Sequence, residues 1–284
     1  MTNEVIALTQ RWRERRDRHI PANGAVDKRD WAIDQISYSA AKAYVQANHY
    51  SGSMTTCIAA FGIFHAPRGG VRPAEMSGVV VFGVPINGAS IPKYAGAAPD
   101  KGAEITRLVL DHDVPGNAES LLVSRAADAL RQSGRVSSII TFADPLERRL
   151  QDGTVVKRGH FGGVYQALSM TYQGRTTPRW LWLDRRGSVI SERSLQKIRA
   201  GERGADYATR DFIACGAPSR AFGETPTEWV ARALLEGPFT RVRHPGNHAY
   251  AWGLDRRARR AVETAAGGIG RGAYPKPDRL PLAA

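Results

Sequence analysis

The order strand, turn, helix, strand at the centre of the chain restricts its fold more than any other feature. Residues 104–110, EITRLVL, form an apolar, β-branched run. HDVPGN makes a tight turn, and residues 117–132, NAESLLVSRAADALRQ, follow it. Leu121, Leu122, Arg125, Ala126, Ala129 and Leu130 recur with the helical period. Asn117 stands where it would cap this helix, with Ser120 in the first turn. Residues 136–142, VSSIITF, return to strand character, and ADP ends them. Two strands joined through one helix imply a crossover, hence a parallel or mixed sheet with helices against its faces.

The flanking segments extend this pattern. Residues 31–36 read as a first strand and 37–48 as a helix, with Ser37 or Ser39 near its start and Asn48 near its end. Residues 55–64 and 76–84 are apolar strands, joined as a hairpin by HAPRGGVRPAE. Residues 85–102 read as a long Gly/Ala/Pro-rich connection, and HFGGVYQALSMTY as a short helix leading into a strand. The resulting order, β-α-β-β-β-α-β-α-β, predicts a mixed α/β architecture. Residues 1–30 form a basic arm or short surface helix, and 31–175 the core. A basic region, 176–266, packs on that core. Residues 267–284 have the composition of a disordered tail.

Charge narrows the partner. The net charge is +13, but residues 31–150 carry only +1 while 151–203 carry +6. A nearly neutral core with basic flanks is the footprint of a nucleic-acid binder; a merely soluble basic surface is the plainer alternative. No run is long enough to span a bilayer, and the N-terminus lacks the apolar segment of a secretory signal. Cys57 and Cys215 lie far apart without metal-ligand spacing, which predicts buried, reduced thiols in an intracellular protein.

The basic half also holds local patterns. In SERSLQKIRAGERG, Ser191 or Ser194 would cap a short helix that turns Leu195 and Ile198 inward. Lys197, Arg199 and Arg203 would project outward, with Gly201 ending the helix. Such a helix suits phosphate contacts, as a solvated helix face equally would. Arg193 belongs with it, and Lys157 and Arg158 are further candidates for DNA. Arg241, Arg243 and His244 cluster near Tyr250 and Trp252, and arginine among aromatics suits both a splayed base and a backbone.

Chemistry-bearing groups map to strand ends, where open α/β sheets gather ligands. His49, Tyr50 and Ser51 stand together where a helix gives way to a strand. Glu104 and Arg107 are three apart on one strand, so they share a face only if a bulge intervenes; otherwise one is structural. The turn VPGNAES presents backbone N–H groups at a helix start, a cradle for an anion. Asp144 follows a strand and precedes Pro145, so it either serves a site or starts a turn. His49, Glu104 and Asp144 are the candidate metal ligands, without any spacing that supports a metal.

Taken in order, NHYSGS (48–53), EITRLVL, NAESLLVSRA, TFADP (141–145), GHFGGVYQALSMTYQG (159–174) and SLQKIRAGERG (194–204) resemble the Mom family of bacteriophage DNA-modification proteins, over roughly residues 31–255. The resemblance implies a GNAT-like fold, that of the N-acetyltransferases. It implies transfer of a carbamoylmethyl group to N6 of adenine in double-stranded DNA, with a flipped base, in the cytoplasm of an infected host. Protection from restriction would be the use. Its site residues would fall on His49, Tyr50, Ser51, Arg107, Ser120, Asp144 and Tyr165, with Glu104 beside them.

The donor of the two-carbon unit is not specified. Arg107 with the amides of Gly116, Asn117 and Ser120 would hold a carboxylate, phosphate or carbonyl of it. Acyl-CoA enzymes carry Gln/Arg-x-x-Gly-x-Gly/Ala at this turn, and here only Gly116 is present. Two other readings stay open: an acyl-CoA-dependent N-acyltransferase on a protein or small molecule, and a non-catalytic DNA-binding protein.

Overall fold

The computed structural model describes residues 8–14, 16–21, 26–65, 75–150, 152–269 and 273–276. The chain opens with β1 (Leu8–Arg13), β2 (Arg16–Pro21), β3 (Trp31–Gln35), α1 (Tyr38–Asn48), β4 (Ala59–His65) and β5 (Glu75–Gly83). Then come α2 (Ser90–Ala95), a 3-10 turn (Pro99–Lys101), β6 (Gly102–Leu110), α3 (Ala118–Gln132) and β7 (Ser138–Ala143). They are followed by β8 (Arg148–Arg149), β9 (Val155–Lys157), α4 (Gly163–Ala167), β10 (Thr171–Arg175) and β11 (Arg179–Leu183). The chain continues through α5 (Glu192–Ala200), α6 (Ala205–Ala214), α7 (Pro226–Glu236), β12 (Thr240–His244), β13 (His248–Gly253) and α8 (Arg256–Ile269).

Two compact units result. One comprises the residues up to Pro145, His160–Thr176 and those from Asn247 onward; the other comprises Leu146–Gly159 and Thr177–Gly246. The first unit holds a seven-stranded sheet in the order β10-β13-β7-β6-β5-β4-β3. Every neighbour pair is antiparallel except β6 and β7, the pair that α3 joins. The mixed α/β class expected from the sequence is what the structure shows.

Both faces of the sheet are covered, so its strands read as continuous apolar runs rather than alternating ones. On one face, Leu122, Val123, Ala126 and Leu130 of α3 pack with Phe61, Ile63, Val80, Phe82 and Ile139. On the other, Ala41 and Val45 of α1 meet Ala60, Val79, Val81 and Val109. There too, Ile91 and Tyr94 of α2 and Val262 of α8 meet Ile140, Ala249 and Ala251. Burying such side chains is worth about 1.5–3 kcal/mol each, which fixes the register of the pairs.

The second unit has its own core. Leu195 and Ile198 of α5, Phe212 of α6 and Trp229, Val230 and Leu234 of α7 pack together. Ser191 caps α5 by accepting from Ser194 N–H at 3.2 Å, and Gly201 ends it at φ 61°. Thr225 and Glu228 form a reciprocal capping box on α7. β11 and β12 form an antiparallel ribbon, as do β8 and β9.

Several boundaries differ from the sequence reading. Residues within 1–30 form a β-hairpin rather than a helix or loose arm. The connection over 85–102 contains α2 and the 3-10 turn. Residues 248–253, expected in the basic region, pair with β7 inside the sheet, because Ala249, Tyr250 and Ala251 are apolar enough to be fully buried. Gly267 to Ile269 continue α8, and Tyr274 Oη donates to Met170 O at 2.9 Å, so the tail is ordered in part. The rest of the expected tail, and most of the loop between β4 and β5, lie outside the described residues. Cys57 and Cys215 are unbonded but only half-buried, and burial raises both thiol pKa values. Among the described residues no helix is long and apolar enough to cross a membrane.

Candidate active site

The site begins with a departure from regular pairing. β6 stays bonded to β5 as far as Leu110, but its pairing with β7 ends at Ile105 and Thr141. Beyond that point the two parallel strands part. A cleft of about 430 Å³ lies there. Ile105 to Leu108 and Phe142 line it from the strands, His49 and Tyr50 from the end of α1, Asn117, Glu119 and Ser120 from the start of α3, and His160, Val164 and Tyr165 from around α4.

A bulge at Thr106 aims the charged groups. Val81 pairs with Arg107 and Phe82 with Ile105, so Thr106 is the extra residue. Its hydroxyl donates to Val81 O at 3.3 Å and accepts from Thr55 Oγ1 at 2.8 Å, which satisfies polar groups the bulge disturbs. The extra residue resets the alternation and brings Arg107 to the same side as Glu104. Burial pushes the Glu104 carboxyl up to about 7, and the Arg107 charge opposes this. Burial lowers the Arg107 pKa against the pull of Tyr50 and Glu104. The guanidinium is held by three acceptors: Ser53 O at 2.9 Å, Thr106 O at 2.6 Å and Ser53 Oγ at 3.2 Å.

The junction after α1 presents the next groups. Ser51 N–H donates to His49 Nδ1 at 3.2 Å, and Ser51 Oγ lies 2.9 Å from the same atom. Nδ1 is therefore an acceptor, and the neutral ring carries its proton on Nε2. The His49 and Tyr50 rings lie 4.3 Å apart at 33°. Ser51 positions His49 and does not itself line the cleft. Tyr165 is 5% exposed, and burial pushes its phenol up to about 12, with a hydrogen bond to Thr141 acting the other way. Gly162, at φ +79°, starts α4; a Cβ there would meet the Tyr250 ring at 2.7 Å and the Tyr165 ring at 2.9 Å. Close approach and a left-handed backbone both require glycine.

The start of α3 differs from the expected anion cradle. Asn117 adopts φ 59° and makes no side-chain cap; its Oδ1 accepts from Val26 N–H at 3.1 Å instead. Ser120 Oγ donates to Asn117 O at 2.7 Å. Gly116 is buried and outside the lining. Arg11, fully buried, donates to Val114 O at 3.1 Å, to Pro115 O at 2.6 Å and to the Glu119 carboxylate. Burial outweighs pairing on both partners, lowering the Arg11 pKa and raising that of Glu119. Arg11 lies in the segment read as an arm, where local sequence gives no sign of burial. The pattern of a first-turn Glu119 is that of an ordinary helix start.

Asp144 is 8% exposed and lies beyond the lining. Its N–H donates to His160 Nε2 at 3.4 Å, and His160 N–H donates to its carbonyl at 3.0 Å. His160 faces the cleft in its place, a residue the sequence reading did not single out. Among the described residues no three His, Cys, Asp or Glu side chains are grouped to hold a metal, so His49, Glu104 and Asp144 are not a ligand set.

The basic residues of the second unit divide sharply. Lys157 and His244 are fully buried, Lys157 Nζ donating to Leu146 O at 2.9 Å and His244 Nδ1 accepting from Gly246 N–H at 3.0 Å. Neither offers the surface contact expected of it. Arg193 pairs with Glu202 at 2.5 Å and Arg199 with Glu192 at 2.6 Å. Arg158 and Arg203 are exposed and Lys197 is half-buried. Arg241 and Arg243 are exposed, but their aromatic neighbour is Trp180, at 4.5 Å and 5.5 Å, not Tyr250 or Trp252. Tyr250 is a core residue.

The sequence model of the Mom protein family matches residues 30–265. No curated protein matches the chain. Among solved structures, a tandem GNAT protein from the clavulanic acid biosynthesis pathway, without AcCoA, aligns with 79% of this chain and 99% of its own, at 8% identity and a TM-score of 0.40.

Proposed function

We infer the activity from one premise: the chain belongs to the Mom protein family, whose members act in phage DNA modification. The reading it supports best is a transferase that attaches a carbamoylmethyl group to N6 of adenine in double-stranded DNA and so shields that DNA from restriction. One observation carries the reading to this chain's residues. The cleft between the parted strands gathers a phenol–imidazole pair and the half-buried Arg107 guanidinium, and the Glu104 carboxyl, pushed up to about 7, stands on the same face of β6 beside it.

Adenine N6 is a weak nucleophile because its lone pair is delocalised into the ring. It lies inside the stack, so the base must flip out at a cost of a few kcal/mol. The tilted rings of His49 and Tyr50 offer a surface for the flipped base. As N6 bonds to the donor's methylene carbon, the leaving group departs with its electron pair and one N6 proton must go to a base. Glu104 suits that task, since a carboxyl near 7 is partly ionised at neutral pH and still basic enough to take a proton. Arg107, fixed by Ser53 and Thr106, would hold the donor's amide or acyl oxygen. Asp144, set back from the lining, meets His160 through its backbone N–H and carbonyl, and His160 rather than Asp144 faces the cleft.

The acyl-CoA reading meets a physical obstacle. The turn before α3 has Gly116 as its one glycine, and a pyrophosphate there would face the Glu119 carboxylate. The donor this reading favours is a small molecule without that anchoring requirement. The test is nucleoside mass spectrometry of plasmid DNA from cells expressing the protein, beside an Arg107→Ala control. A carbamoylmethyl-deoxyadenosine peak with the intact chain alone is expected. Unmodified DNA from cells holding soluble, folded protein would overturn the reading.

A further inference from the structure

Arginines in the second unit differ in their electrostatic setting. Three on its helices are neutralised: Arg193 by Glu202, Arg199 by Glu192, and Arg232 by Glu224 and Glu236, both at 2.8 Å. Arg241 and Arg243 on the β11–β12 ribbon have no acidic partner among the described residues. They lie over an indole instead. Arg241 is 4.5 Å from the Trp180 ring and 5.9 Å from Trp182, and Arg243 is 5.5 Å from Trp180.

The ribbon register explains the grouping. Trp180 stands opposite Arg243 and Trp182 opposite Arg241, so alternation puts all four side chains on one face. The opposite face carries Leu181, Leu183, Val242 and His244, of which Leu183 and His244 are buried. Trp180 itself is 51% exposed. An exposed indole between two uncompensated cations contributes little to a core and invites an anionic partner.

Stacking occupies the flat face of a guanidinium and leaves its N–H donors in plane, the geometry that meets two phosphate oxygens at once. A two-stranded ribbon also matches the duplex major groove, which is about 12 Å wide. We propose that the face formed by Trp180, Arg241 and Arg243 is the duplex-DNA docking surface of the second unit. Arg241 and Arg243 grip backbone phosphates, and Trp180 holds both guanidiniums in position. The proposal rests on the reading of the chain as one that acts on DNA.

The test is fluorescence anisotropy of a labelled, mixed-sequence duplex against the full chain over a range of KCl concentrations. The variant carrying Arg241→Ala and Arg243→Ala should bind roughly 10- to 100-fold more weakly, with the salt slope reduced by about 2. Trp180→Ala should weaken binding by about 3- to 10-fold while Trp180→Phe keeps most of it, as an aromatic platform requires. Arg193→Ala should leave affinity and slope unchanged. Thermal midpoints close to that of the intact chain establish that the exposed substitutions preserve folding. Unchanged affinity and slope in the double variant, with the intact chain binding, would overturn the docking surface and leave the modification reading standing. No duplex binding by the intact chain would sink both. Tighter binding of a single-stranded oligonucleotide, lost most in Trp180→Ala, would replace phosphate gripping with base stacking and also overturn the proposal.

Discussion

Arginine does different work in the two units. Arg11 is fully buried and Arg107 half-buried among the strands and the loop before α3, where burial lowers their pKa and backbone carbonyls accept from them. Arg241 and Arg243 stand on a ribbon in water, over an indole and without a carboxylate partner among the described residues. Charges in a poorly solvated setting act strongly on their neighbours, as Arg107 does on Glu104, and they are costly to leave alone. Charges in water act weakly on the fold and remain available to a partner. Removing a buried guanidinium should therefore disturb the protein itself, and removing a ribbon guanidinium should disturb only what it binds.

Arg11→Ala gives the largest expected effect. It strands the Glu119 carboxylate and the Val114 and Pro115 carbonyls, which should cost about 3–5 kcal/mol in denaturant unfolding. Replacing both charges, Arg11→Met with Glu119→Leu, should recover much of the loss. A double variant no more stable than Arg11→Ala would show that the pair is not what makes that position costly.

Glu104 comes next, and the sign matters. Its folded-state pKa, about 7, lies above the ordinary 4.5, so the folded protein holds that proton more tightly than the unfolded chain. The stability it contributes is complete below about 4.5 and is lost as pH rises through about 7, by roughly 3 kcal/mol at most. Glu104→Gln should flatten the stability profile over that window. With an ionised Glu104 as base, modification should rise with pH through about 7, and the Gln variant should lose both the rate and the inflection. A wild-type rate that does not vary from pH 6 to 8 would remove Glu104 from that role.

Gly162→Ala should be milder in stability, about 1–3 kcal/mol from a left-handed backbone and contact with two rings. Its more telling effect is on the site, since Tyr165 must shift. Activity should fall further than the thermal midpoint implies. Equal losses in the two would mean that the glycine serves the fold alone.

Much of the architecture was legible because it is local. The 3.6-residue period of α3 and the apolar runs of β4, β5, β6 and β7 need no knowledge of their partners, and both ends of α5 were marked by Ser191 and Gly201. Tyr250 misled for the same reason: beside Arg241 and Arg243 in sequence it looks like part of a basic aromatic patch, yet it lies on a central strand. The HYS triplet marked the right junction, although Ser51 orients the imidazole rather than facing the cleft.

The sequence by itself determined the order of the central elements, the crossover and the residue types brought to the sheet's opening, because periodicity and capping act over a few residues. The tertiary structure alone decided the bulge that turns Arg107 toward Glu104 and the parting of β6 from β7. It also decided the burial of Arg11 against Glu119, and which basic side chains have their charge offset by a neighbouring carboxylate and which do not. Those outcomes depend on solvation and on partners as far apart as Arg11 and Glu119, separated by 108 positions, and no local pattern encodes them.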